Sequence, residues 1–452
     1  MSIAGNKGAE RMRGMIFKGT MIAASLAGLI PAGAAAQISA PIVAAPLSGS
    51  PVTAAVNRYY DSRPAANIWF RAGQLTPGAA QLVGMLRRAP LEGLDSGPQL
   101  AAQVEAAMAS AAGGAPAAIN AADRILSIAW VTYVQHLQSP TKGMIYGDPG
   151  IRSKPAHPDM ILHQAAGSPS LGDHLTKVAA VNPIYSQLRE AAVREAALPG
   201  GGISAKLVAN LDRARAVPAT GRFLIVDVPS AKLWMYENGQ PVDSMKIVVG
   251  MPEYPTPMIA SVIHYTTFNP YWHVPDHLVR KTVAKGVING GAAYLKARGY
   301  EVVSKWGNDA AIIPASEIDW KAVAAGTAEV KVRQLPGGAN SMGKMKFPFA
   351  NGEGIFLHDT PTREHFAKSD RAISNGCVRV EDAARLARWM FGHEPAALTS
   401  KAPEQHVQIG RGIPVYVTYL TAQPGDGQLA FFDDPYGKDA AFASRSAAAS
   451  IR

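Results

Sequence analysis

At Pro218 the spacing of apolar residues changes, and that change restricts the possible folds more than any other feature of the chain. Before it, in "AAQLVGMLRRA", "PQLAAQVEAAMASAA", "INAADRILSIAWVTYVQHL" and "NPIYSQLREAAVREAAL", apolar residues recur three and four apart, the period of helices that bury one face. After it come "RFLIVDVP", "KLWMYENGQPV", "SMKIVVG", "GIFLH" and "IPVYVTYLT", short β-branched and aromatic runs that read as strands. The class is therefore α+β: a helical scaffold domain over 55–217, then a β-rich domain over 218–440. Asn120 and Asn182 are expected helix starts, and "LPGGGIS" ends the last long helix. Asn238-Gly239 between two strand runs predicts a hairpin, because both residues tolerate positive φ. The mixed stretch 265–346, with a helical piece "PDHLVRKTVAKGV", reads as an insertion in the β domain.

The two ends need separate treatment. Lys7, Arg11, Arg13 and Lys18 precede the apolar run "MIAASLAGLI" and the small residues Ala34 and Ala36, the parts of a secretory signal peptide over 1–36. Its removal takes four basic residues and one acidic residue, so the formal charge falls from +10 to +7. An exported basic chain with no basic run interleaved with aromatics points to an anionic envelope surface rather than nucleic acid. No later segment has the length and apolarity of a membrane span. Residues 37–54 read as an Ala/Pro-rich linker and 441–452 as a disordered tail.

Among 452 residues there is one cysteine, Cys377, in "SNGCVRV". In an oxidising compartment a single cysteine cannot form an internal disulfide, so the thiol needs another explanation. A thiol attacks carbonyls only as thiolate and needs a base or cation that the fold delivers. Gly376 permits close backbone approach, and the helical spacing of "VRVEDAARLARWMF" predicts that Cys377 opens a helix, with its N-terminal stabilisation of the thiolate. His358, at the end of the strand-like "GIFLH", is a candidate base. The competing reading is a packed cysteine and an unrelated loop histidine. Two other motifs fail on inspection. "GANSMGKM" matches a phosphate-binding loop but has Met345 where Ser or Thr would hold Mg²⁺, and Pro275 breaks the helix that "HVPDH" would need to bind zinc. No metal or cofactor is implied.

"FLHDTP" followed by "SNGCVRV" resembles the active-site signature of the YkuD-type L,D-transpeptidases. "VDVPSAKLWMYENGQPV", "IVVGMPEYPTP", "FNPYWHVP" and "RQLPGGANSMGKMKFPFAN" are similar to the YcbB-like subgroup of the proteobacterial periplasm, whose catalytic domain carries an inserted substrate-capping subdomain. The resemblance implies a periplasmic enzyme that cross-links peptidoglycan peptide stems through a thioester and is open to covalent inhibition by carbapenems. It implies Cys377 as nucleophile, His358 as general base and the backbone at Gly376 as part of the oxyanion hole. It implies substrate contacts from Ser374, Asn375, Arg379, Phe356, Asp359, Trp272 and Tyr271. An L,D-carboxypeptidase using the same acyl-enzyme, or a non-catalytic wall-binding scaffold protein, are the alternatives. Three departures stand out: Asn375 where many relatives have His, Phe356 where they often have Tyr, and no wall-binding module between the two domains.

Overall fold

The computed structural model describes residues 49–63, 67–307, 309–425 and 428–443. The expected signal peptide, most of the linker and residues 444–452 of the expected tail lie outside them. The helical region comprises α1 (Pro51–Asp61), a small hairpin of β1 (Phe70–Arg71) and β2 (Gln74–Leu75), α2 (Pro77–Arg88), α3 (Gly97–Ala111) and α4 (Pro116–Leu137). It continues through β3 (Ile145–Tyr146), α5 (Pro158–Ala166), α6 (Leu171–Ala180), α7 (Pro183–Ala196) and α8 (Ala205–Ala214). Several helices start on a proline at their first positions, where the missing N–H is no loss. Asn182 caps α7 by accepting from the Tyr185 N–H.

Three boundaries differ from the expectations. Ser50 caps α1 and Pro51 opens it, so 51–54 are helix rather than linker. Asn120 lies inside α4, which begins four residues earlier at Pro116 for the same reason. Residues 438–443 are helical and Phe442 is buried, with the Lys142 ammonium over its ring, so 441–443 are docked rather than disordered.

The β-rich region runs β4 (Arg222–Asp227), β5 (Lys232–Glu237), β6 (Gln240–Gly250) and β7 (Ile259–Phe268). A cap follows: β8 (Trp272–His273), α9 (Asp276–Leu278) continuing as a π-helical turn over Val279–Ala284, α10 (Lys285–Arg298), β9 (Tyr300–Val303), α11 (Trp320–Ala325) and β10 (Lys331–Gln334). Then come β11 (Met345–Pro348), β12 (Phe356–His358), β13 (Ala372–Ser374), β14 (Val378–Val380), α12 (Ala383–Phe391), β15 (Gln405–Thr418), β16 (Ala422–Pro424) and β17 (Leu429–Phe431). Asn238 and Gly239 both take positive φ, 52° and 79°, and close the tight turn between β5 and β6.

The main sheet runs β11-β12-β14-β6-β5-β4-β15-β7-β3, and β11 also pairs with β7, so eight strands close into a ring with β3 outside it. β3 belongs to the helical region, and pairs in parallel with β7. Helix and sheet residues form one continuous apolar core, from Trp69, Trp130 and Tyr185 to Phe223, Leu357 and Val378. The polar face of α8 joins the layers as well: Asn210 donates to Thr421 Oγ1 at 2.8 Å and Arg213 to the Tyr419 carbonyl at 2.9 Å. The cap has its own three-stranded sheet, β8-β10-β9, and a separate core around Val274, Val283, Val302 and Val332.

Candidate active site

The site is built where β12 and β14 run side by side in parallel, with Leu357 opposite Val378 and His358 opposite Arg379. Leu357 and Val378 are both fully buried on the core face. Because side chains alternate along a strand, Phe356, His358, Cys377 and Arg379 share the other face. His358 and Cys377 then sit at diagonal positions across the β12–β14 pair. β11 adds Lys346 to this face, directly opposite His358.

The turn before Cys377 is held from three sides. Gly376 has φ of +106°, a backbone conformation that favours glycine, and a Cβ there would also crowd Ile355 Cδ1 at 3.2 Å. Ser374 Oγ donates to the Cys377 carbonyl at 2.6 Å and accepts from the Gly376 N–H at 3.1 Å. Buried Thr256 Oγ1 donates to the Gly376 carbonyl at 2.7 Å and accepts from the Gly250 N–H at 2.8 Å. Tyr436, from the C-terminal segment, donates its hydroxyl to the Gly250 carbonyl.

Cys377 does not open a helix. The β-branched alternation Val378-Arg379-Val380 is taken up by pairing with β12 and β6, and the helix begins at Ala383, capped by Asp382 accepting from the Arg385 N–H at 2.9 Å. The thiol therefore gains no helix N-terminus. It is half-buried, with its S–H directed at the Gly354 carbonyl at 3.7 Å. Burial pushes its pKa up, while a hydrogen bond from the Phe356 backbone and the charges of Lys346 and Arg379 pull it back.

His358 is buried, and its Nδ1–H donates to the Asp359 carbonyl at 2.5 Å. This fixes the tautomer and leaves Nε2 with its lone pair. Burial first, then the positive charges of Arg379 and Lys346, push its pKa down to about 3, so the imidazole is neutral at ordinary pH. Lys346 is also shifted down by burial, against the opposing pull of Glu404 and Cys377.

The remaining expected site residues separate into two groups. Ser374 and Gly376 belong to the turn itself, but the Gly376 N–H is engaged by Ser374 and is not a free oxyanion donor in this state. Arg379 is on the active face, donating to His365 Nδ1 at 2.7 Å. Phe356 is half-buried beneath the Lys346 ammonium, which lies 4.1 Å from its ring centroid. Asn375 is exposed. Asp359 is buried, accepting from the Lys344 N–H at 2.8 Å and from Arg363 at 2.7 Å, and so organises the loop after β12. Trp272 packs with the cap's own core, and Tyr271 lies at the base of the cap, its N–H on Glu404 at 2.6 Å and the Arg333 guanidinium over its ring. Both lie where the sequence has the insertion open, with partners in β10 and before β15.

Sequence reasoning missed Lys346, Thr256, Glu404 and Tyr254. Tyr254 bridges cap and turn: its ring stacks on His277 of α9 at 5.5 Å, its hydroxyl accepts from Lys281 at 2.9 Å, and its carbonyl lies against Gly250 and Gly376. For Lys346 a signal existed, the alternation Met345-Lys346-Phe347, which buries its neighbours and turns the lysine outward. A cavity of about 420 Å³ lined by Met85, Tyr133 and Arg189 belongs to the helical region and contains none of these residues.

Residues 221–416 match the family model of the YkuD L,D-transpeptidase catalytic domain, and residues 54–191 match that of a Scaffold domain. A Haemophilus influenzae protein provisionally named an L,D-transpeptidase is 27% identical over 320 residues, covering 69% of this chain and 64% of its own. The chain thus spans just under two thirds of that relative. Among solved structures, an L,D-transpeptidase from Mycobacterium smegmatis has 11% identity and a TM-score of 0.22, over 44% of this chain and 59% of its own. An Enterococcus faecium L,D-transpeptidase mutant has 13% identity and a TM-score of 0.21, over 45% and 52%. Scores this low add no weight to the assignment.

Proposed function

Because the chain belongs to the YkuD L,D-transpeptidases, with a Scaffold domain ahead of the catalytic one, we propose that it cross-links peptidoglycan peptide stems in the periplasm through an acyl-thioester on Cys377. The observation that carries this reading is the pairing of β12 with β14, which puts His358 and Cys377 on one face beside the Gly376 turn. In the first step the Cys377 sulfur attacks the carbonyl of the L,D bond of a donor stem. The thiol proton passes to His358 Nε2 and then to the departing amine of the terminal D-alanine. In the second, an amine of a neighbouring stem attacks the thioester, gives up its proton to His358, and releases the thiol. The turn 375–377 supplies the oxyanion donors once Ser374 yields the Gly376 N–H. The same acyl transfer makes Cys377 the target of carbapenem acylation.

The cap supports a YcbB-like architecture: it is inserted between β7 and β11, has its own core, and touches the turn through Tyr254. The formal charge of +10 for the full chain suits an anionic wall.

The test incubates the protein, and its Cys377→Ala variant, with purified disaccharide-tetrapeptide, and reads products by mass spectrometry. Cross-linked dimer with released D-alanine from the parent alone is the expected result. Tripeptide monomer without dimer would reassign the enzyme as a carboxypeptidase. No product, together with no carbapenem adduct on Cys377, would refute the catalytic reading.

A further inference from the structure

Lys346 and Arg379 are the cations that the described residues turn toward the active face, and the two are held differently. Lys346 stands in the middle of three strands, opposite His358 on β12 and opposite Thr267 on β7. Its ammonium lies 4.1 Å from the centroid of Phe356, and the register that sets Leu357 against Val378 puts Phe356 beside Cys377. Among the described residues the ammonium has a ring beneath it and no hydrogen-bond acceptor. Arg379, the other cation on this face, donates to His365 and is thereby drawn toward the 3-10 turn Arg363–Ala367.

A thiolate in this half-buried setting needs a positive partner. His358 is poorly placed to provide it, because an imidazolium there would be buried between Arg379 and Lys346, both positive. A helix N-terminus is absent. We propose that the Lys346 ammonium is the counter-charge of the Cys377 thiolate that forms as the thiol proton passes to His358, a positioning residue that lowers the cost of ionising the nucleophile. The proposal rests on Cys377 as the nucleophile, as read above.

The charged and titratable groups facing this pair are His358 from β12, Arg379 from β14 with His365 beyond it, Glu404 from the segment leading into β15, and His273 from the cap. Glu404 opposes the lysine: its carboxylate acts on the same ammonium that Cys377 feels. Removing Lys346 and removing Glu404 must therefore shift the thiol in opposite directions.

Cys377 is the sole cysteine of the chain, so iodoacetamide, whose iodide the thiolate displaces, reports on this residue alone. The alkylation rate of the full-length protein is followed from pH 5 to 10 for the parent, Lys346→Met, Lys346→Arg and Glu404→Gln. The Met variant is expected to raise the midpoint by about one unit, a tenfold lower thiolate fraction at neutral pH. Arginine should return the midpoint toward the parent value, and Glu404→Gln should lower it. A folded Lys346→Met protein with an unchanged midpoint overturns the proposal, whatever happens to KM. If that variant does not fold, a midpoint that stays or rises in Glu404→Gln overturns it. Alkylation needs no turnover, so the proposal and the cross-linking reading fail separately.

Discussion

Replacing Thr256 by valine removes one hydroxyl and keeps the side-chain shape, which isolates what that hydroxyl does for the turn carrying Cys377. Its oxygen is fully buried and joins two backbone groups, the Gly250 N–H at 2.8 Å and the Gly376 carbonyl at 2.7 Å. In the valine variant a methyl faces both, and neither has water to turn to. An orphaned buried polar group costs about 1–3 kcal/mol, so two cost roughly 2–6 kcal/mol if the loop stays in place. With an unfolding entropy of about 2.1 cal/mol/K per residue over roughly 400 residues, a central value of about 4 kcal/mol lowers Tm by about 5 °C. The loop can instead move to recover partners. In that case Gly376 shifts, Cys377 leaves its place beside His358, and the loss appears in kcat/KM rather than in Tm. Calorimetry and the dimer-forming assay on Thr256→Val and Thr256→Ser read both outcomes, and serine, which keeps the oxygen, should stay near the parent. A valine variant matching the parent within about 1 °C in Tm and within a factor of about two in rate would refute the reasoning.

Four further outcomes follow from the same geometry. Gly376→Ala forces a side chain onto φ of +106° and toward Ile355, so kcat/KM should fall by about tenfold or more, consistent with strain of roughly 1–3 kcal/mol; near-parental activity would contradict the required left-handed turn. With His358 pushed down to about 3, kcat/KM should show no inflection at the ordinary histidine range near 6.5. A limb centred near 6.5 that vanished in a His358 variant would show the imidazole to be more exposed than it is here. Asp123→Ala leaves the Ile68 and Trp69 N–H groups without their buried acceptor and the Tyr60 hydroxyl with Ser127 alone among side chains, and thermal unfolding should fall by several degrees, from roughly 3 kcal/mol or more. Asn375→His, at an exposed position, should leave Tm within about 1 °C of the parent, as scanning calorimetry would read it.

What the sequence made legible was local. The helical period before Pro218, the tight turn at Asn238-Gly239 and the cap at Asn182 each depend on residues within a few positions of one another, and the structure has them all. The start of α4 was misread because Asn120 is a good cap in isolation, whereas Pro116 was already suited to the first turn. Cys377 shows the limit more sharply. "VRVEDAARLARWMF" has helical spacing from end to end, yet its first three residues are claimed by strands twenty and more than a hundred positions away. A three-residue strand has too little alternation to announce itself, and only the closed sheet decides in its favour.

That decision also reassigns the electrostatics of the site. A helix start at Cys377 would have supplied half a positive charge from backbone N–H groups, and no side chain would have been needed. With a strand there instead, positive charge must come from whatever the neighbouring strands turn toward the same face. β14 brings Arg379, and β11 brings Lys346 from a segment whose spacing suggested only a failed phosphate loop. The same topology lets Thr256 reach the turn from 120 positions away, and Tyr436 from the C-terminal segment. The nucleophile and its base were thus readable because a short signature names them. The groups that set their charge and hold their geometry become neighbours only when β7, β11, β12, β14 and β6 close into a ring.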